Sequence, residues 1–118
     1  MTLEQFLAKI KQDEPISFDE TMAVIVDNYD YQPTEFNNGL LDDILINPAG
    51  TNEGSCKIFA FANMHCLTVL QTLSLFGDFY RKDVLANPTG TGHQNIRNFM
   101  KYGWQGIHFS ASPLQPKN

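Results

Sequence analysis

Between Lys57 and Asp78 the chain carries no Lys, Arg, Asp or Glu. The uncharged run Ile58–Gly77 is long enough to cross a bilayer, which takes about 20 apolar residues. Asn63, His65, Thr68, Gln71, Thr72 and Ser74 interrupt it, however, and basic flanks are missing on one side. It therefore reads as a buried helix of a soluble domain rather than a membrane span. The expected element is one long central helix over about Ser55–Phe76. Asn52 or Ser55 would be its N-cap, Glu53 would favour the positive end of its dipole, and Gly77 would be its left-handed stop.

A chain of 118 residues suits one domain, 1–118, around one core. The net charge of −5 argues against nucleic acid, because a phosphate backbone selects a basic surface. No basic cluster suggests attraction to anionic lipid. Cys56 and Cys66 are ten residues apart on the expected helix, about 15 Å along its axis, and a disulfide needs Cα atoms within about 7 Å. Two free thiols suit a reducing compartment, and Met1–Glu4 lacks the basic start of a secretory signal. A cytoplasmic location in the producing cell follows as the expectation.

Around the central helix the pattern predicts several shorter helices and a small sheet. Leu3, Phe6, Leu7 and Ile10 recur at helical spacing, with a capping box of Thr2 and Gln5. Ser17 and Glu20 repeat the box before a second helix whose apolar face is Phe18, Met22, Ile25 and Val26. Tyr29–Phe36 alternates as a strand, with Pro33 confining it to an edge or splitting it. Asn37-Asn38-Gly39 reads as a hairpin turn, and Leu40–Ile46 returns as a strand or a short helix. Helices are expected over Phe79–Ala86, capped by Asp78, and over His93–Tyr102, with Ile96, Phe99 and Met100 inward. Trp104–Ser110 reads as a strand, and 111–118 as a loose tail. The fold class is α+β in a single compact domain.

Several stretches could carry chemistry. Gly50–Lys57 is rich in glycine, but its lysine is out of place for a phosphate-binding loop; an anion at the helix N-terminal amides remains open. Cys56 near a helix start would have a lowered pKa, and His93 or His108 could serve as its base, which describes a thiol hydrolase. The alternative for Cys56 is a small buried core residue. His65, Thr68 and Thr72 share one helical face, as a pocket wall or as hydroxyls bonded to carbonyls. Tyr80, Arg81, Asp83 and Arg97 form a polar group. The arginines could clamp a carboxylate or phosphate beside Gly90–His93, or pair with local acids. His65, His93, His108 and the cysteines have no short ligand spacing, so no structural metal and no cofactor are expected.

Four blocks carry a family resemblance: Phe36–Gly39, Gly50–Lys57, Phe76–Leu85, and His93–Met100 followed by Gly103-Trp104. With them the chain resembles the HopJ type III effector family of small bacterial proteins. The resemblance implies a compact α/β-type domain and a protein delivered into a host cell by a type III secretion system. It implies no catalytic residues. The leading expectation is a small binding or interaction domain, with a small anionic ligand or a host protein as its partner. Its expected ligand-binding residues are Asn52, Glu53, Tyr80, Arg81, His93 and Arg97. The hydrolase of Cys56 with His93 or His108 is the alternative.

Overall fold

A computed structural model describes residues 1–117. Its helices are α1 (Leu3–Lys11), α2 (Phe18–Asn28), α3 (Glu53–Met64), α4 (Val69–Ser74) and α5 (Gln94–Tyr102), with a π-helical turn at Phe79–Val84. Five short strands are β1 (Tyr29–Tyr31), β2 (Phe36–Asn38), β3 (Leu45–Asn47), β4 (Ile107–Phe109) and β5 (Leu114–Pro116). They form two antiparallel sheets, β3-β2-β4 and β1-β5. The architecture is α+β, as the sequence predicts.

The first two helices form where their caps predict. Thr2 accepts from the Gln5 amide and Ser17 from the Glu20 amide, and both glutamine and glutamate side chains return the bond. An ion pair of 2.8 Å between Lys9 and Glu20 joins α1 to α2, and that bond holds the Glu20 carboxyl below its ordinary pKa. On α2 the buried apolar residues are Val24 and Ile25, whereas Val26 is exposed. The expected inward Met100 of α5 is likewise exposed, and the polar Asn95 and Asn98 lie inward beside Ile96 and Phe99.

The long central helix is a correction. The chain leaves the helix after Met64, passes through Cys66 in the left-handed region (φ 54°), and begins again at Val69. The cause lies in the sequence: Thr68 and Gln71 form a third capping box, which starts a new helix inside the uncharged run. The break is also held from outside. The Trp104 indole donates to the Leu67 carbonyl at 3.1 Å, and the Tyr29 hydroxyl is hydrogen bonded to His65 Nε2 at 2.6 Å. Gly77 is left-handed (φ 62°) as expected. It is also crowded, because a Cβ there would lie 2.6 Å from the Phe18 backbone nitrogen.

The other corrections concern strands and turns. Pro33 splits Tyr29–Phe36: β1 pairs with β5, and Phe36 starts β2 between β3 and β4. The expected loose tail is therefore partly a strand, with Tyr31 opposite Leu114 and the Leu114 side chain buried; Asn118 lies outside the described residues. Leu40–Ile46 resolves into a 3₁₀ turn at Leu41–Asp43 followed by β3. Phe79–Val84 winds with a Leu85 N–H to Tyr80 carbonyl bond, the wider spacing of a π-helix, without a side-chain cap from Asp78. Trp104 lies in a 3₁₀ turn before β4.

The core is aromatic. Phe59 of α3 touches Phe36, Phe76 and Phe99, and Phe61 touches Phe6 and Tyr29. Burying each such side chain contributes about 1.5–3 kcal/mol. Beside this core lies a polar seam of four buried asparagines, Asn38, Asn47, Asn95 and Asn98. Asn38 Nδ2 donates to the Asn95 carbonyl and to Asn95 Oδ1 (2.8 and 3.0 Å). Asn95 and Asn47 exchange amide bonds at 2.9 and 3.2 Å. Asn98 Nδ2 donates to the Asn38 and Asp43 carbonyls at 3.0 and 2.9 Å. The seam pins the β2–β3 hairpin to the start of α5.

Burial lowers the pKa of His65 below its ordinary 6.5. The folded state therefore disfavours the imidazolium relative to the unfolded chain, so this contribution to stability is complete well above pH 6.5 and is lost as pH falls from there through the lowered value of the folded state. Urea unfolding should show stability falling from pH 7 to about pH 5, with a shallower fall in His65→Gln. Equal slopes in the two proteins would remove His65 as the cause.

Candidate ligand-binding site

Three helices close their own first turns with full capping boxes: α1, α2 and α4. The other two do not. The N-cap residues of α3 and α5, Asn52 (φ 49°, ψ 46°) and His93 (φ 57°, ψ 51°), are both left-handed and neither caps its helix with a side chain. A left-handed N-cap swings its side chain away from the first-turn amides. Asn52 Nδ2 instead donates to Asn47 Oδ1 at 2.7 Å, and His93 Nε2 bonds to Asp83 Oδ2 at 3.1 Å. The first-turn amides of Glu53, Gly54 and Ser55, and those of Gln94 and Asn95, make no hydrogen bond among the described residues.

Both uncapped starts open onto one cavity of about 440 Å³. Asn52, Gly54 and Ser55 of one start and His93, Gln94 and Asn95 of the other form its polar walls. Phe18, Leu45, Phe76, Phe79 and Ile96 form its apolar walls. Gly54 brings the α3 backbone close to the Phe18 ring; a Cβ there would lie 2.9 Å from its tip, so the ring would have to shift. Phe18 packs edge-on against Phe79, and Phe79 lies 5.2 Å from the His93 ring, so an aromatic wall runs from α2 to α5. No Lys or Arg lines the cavity.

Of the residues expected from sequence, Asn52 and His93 meet in this cavity; the others lie elsewhere. Glu53 sits beside Tyr31 and Cys56 on the other side of α3, where it helps burial to raise the Tyr31 pKa. Tyr80 packs against the core. Arg81 donates to the Ile16 carbonyl at 2.7 Å and lies 3.5 Å from Asp78. Arg97 ties down the loop before His93, with Nε on the Gly92 carbonyl (2.6 Å) and Nη1 on the Asn87 carbonyl (2.9 Å). Both arginines bond to backbone, which is a structural use of the guanidinium.

The thiol reading of Cys56 meets a physical obstacle. The residue is 0 % exposed and its Sγ faces the Thr34 carbonyl at 3.7 Å. Burial pushes its pKa up to about 11, overriding the helix dipole. His93 is bonded to Asp83 and His108 to the Gln105 carbonyl; neither bonds to Cys56. Cys66, in contrast, is exposed. His65 and Thr68 do not line the cavity, and the Thr72 hydroxyl bonds to the Thr68 carbonyl at 2.7 Å. Among the described residues there is no group of three His, Cys, Asp or Glu side chains able to hold a metal ion, and no helix is long and apolar enough to cross a membrane.

Comparison with known proteins places the chain. The family described as HopJ type III effector protein matches residues 3–114. The chain belongs to the HopJ family. A solved structure described as "unknown function protein VPA0580" is similar to this HopJ chain at 50% identity, with a TM-score of 0.92 over 99% of this chain and 95% of that one. No curated protein sequence matches it.

The aromatic wall was not legible in the HopJ sequence, because Phe18, Phe79 and His93 meet only through the packing of three elements. One signal was available. Thr2, Ser17 and Thr68 are each followed three residues later by Gln or Glu, whereas Asn52 and His93 are followed by Ser55 and Ile96. The two helices without a box are the two that open onto the cavity.

Iodoacetamide at neutral pH should label the folded protein once, at Cys66, and a second time at Cys56 only after denaturation. Peptide mapping of the labelled sites is the check; rapid labelling of Cys56 in the folded state would restore it as a candidate nucleophile.

Proposed function

We propose that this HopJ chain is a small-molecule binding domain whose ligand carries a negative charge on an apolar body. The observation that carries the reading is the meeting of two uncapped, left-handed helix starts in one cavity with an aromatic wall. Each helix N-terminus acts as roughly half a positive charge. Two together balance about one negative charge. With no Lys or Arg in the lining, a single carboxylate or phosphate monoester suits the site better than a polyphosphate, which would need cations to balance it. The rings of Phe18, Phe79 and His93 offer the apolar body a surface.

Ser55→Asp tests this reading without weakening the fold. A carboxylate in the first turn of α3 favours the helix dipole, so the melting temperature should hold or rise. The same charge should repel an anion and lower affinity about tenfold or more for benzoate and phenyl phosphate, read by calorimetry or NMR titration. If the parent protein binds neither probe, or the Ser55→Asp variant binds them as tightly, the reading fails.

The family description favours a second reading, in which the chain is delivered into a host cell by a type III apparatus and acts there on a host protein. A reporter fused behind residues 1–118 and expressed in a bacterium with that apparatus should appear in the host cytosol. Retention in the producing cell would leave the cavity as the basis of function.

A further inference from the structure

Two apolar features near α5 are exposed to solvent. The first is a groove of about 280 Å³ at the end of the π-helical turn, walled by Val84, Leu85, Pro88 and Met100 and edged by Arg97 and Lys101. Leu85 and Met100 are 48 % and 42 % exposed there. The second is Leu41. It opens the 3₁₀ turn with a left-handed backbone (φ 56°), a conformation unfavourable for leucine, and its side chain is 85 % exposed.

The two features are neighbours. Asp43, two residues after Leu41, accepts from Lys101 Nζ at 2.7 Å and from the Tyr102 hydroxyl, and its carbonyl accepts from Asn98. Lys101 is itself an edge of the groove. These bonds tie the turn that carries Leu41 to α5, the helix that also walls the groove. Their charges are complementary. Asp42 is exposed beside Leu41, while Arg97 enters no ion pair and leaves Nη2 without a hydrogen bond among the described residues.

We propose that this face binds a second copy of the chain, related by a two-fold axis. Leu41 of each copy enters the groove of the other, among Val84, Leu85, Pro88 and Met100, and Asp42 meets Arg97 across the interface. A knob and a groove tied together in this way suit an isologous contact, which closes at two copies. The contact is small and the net charge of −5 per copy opposes it, so the dimer is weak and strengthens as salt screens that repulsion.

Sedimentation equilibrium of the full chain tests this between about 10 µM and about 1 mM, the range of a small and transient interface. The parent protein should pass from monomer to dimer and stop there. Leu41→Gly removes the knob and relieves the left-handed leucine, so it should melt no lower than the parent yet stay monomeric. Met100→Glu, at an exposed wall of the groove, should also stay monomeric. A parent protein that remains monomeric throughout, that grows past the dimer, or that dimerises unchanged in Leu41→Gly overturns the proposal.

Discussion

The rest of this structure depends on the reciprocal amide bonds between Asn47 and Asn95. One residue closes β3 and the other lies in the first turn of α5, 48 positions away. Through Asn47 Oδ1 the same pair holds Asn52, and with it the start of α3. Buried amides are costly when unpaired, about 1–3 kcal/mol for each group left without a partner. A shift of either helix start would break several of these bonds together. The distance between the two helix starts is thereby fixed by polar groups inside the protein, while the aromatic core supplies most of the driving force.

That division explains why two helix starts can remain uncapped. A capping side chain typically contributes about 1 kcal/mol. In α3 and α5 the residue at that position serves a tertiary contact instead: Asn52 joins the asparagine seam and His93 joins Asp83. Free amides are thus placed at a cavity wall by residues that bind something else. The loop ahead of α5 is held in the same way by Arg97, whose guanidinium bonds to carbonyls of the loop it follows.

What was legible in the sequence was local. The capping boxes of Thr2 and Ser17, the left-handed Gly77 and the short strands around Pro33 all follow from residues within a few positions of one another. The third box at Thr68 was equally local, but twenty uncharged residues suggested continuity and concealed it. Val26 and Met100 were expected inward and face solvent, while Asn95 and Asn98, on which the helical pattern was silent, are buried because each amide finds a partner. The site was half legible. Asn52 and His93 could be picked out as helix starts, but their meeting depends on the hairpin Phe36–Asn47 packing under α5, a contact with no short-range signature.

The pairing of β5 with β1 bears on how this chain folds as it is made. Tyr31 faces Leu114 across the small sheet, and Leu114 is buried in the same core as α3. The sheet neighbour of β1 therefore emerges from the ribosome more than 80 residues after it. Until Leu114 has emerged, the edge of β1 and part of the core beneath it stay open to water. Closure of the domain is thus a late and long-range event, which slows folding relative to a helical bundle of this size. A nascent chain held short of that strand leaves the β1 edge unpaired, and an open strand edge is a surface a chaperone can hold.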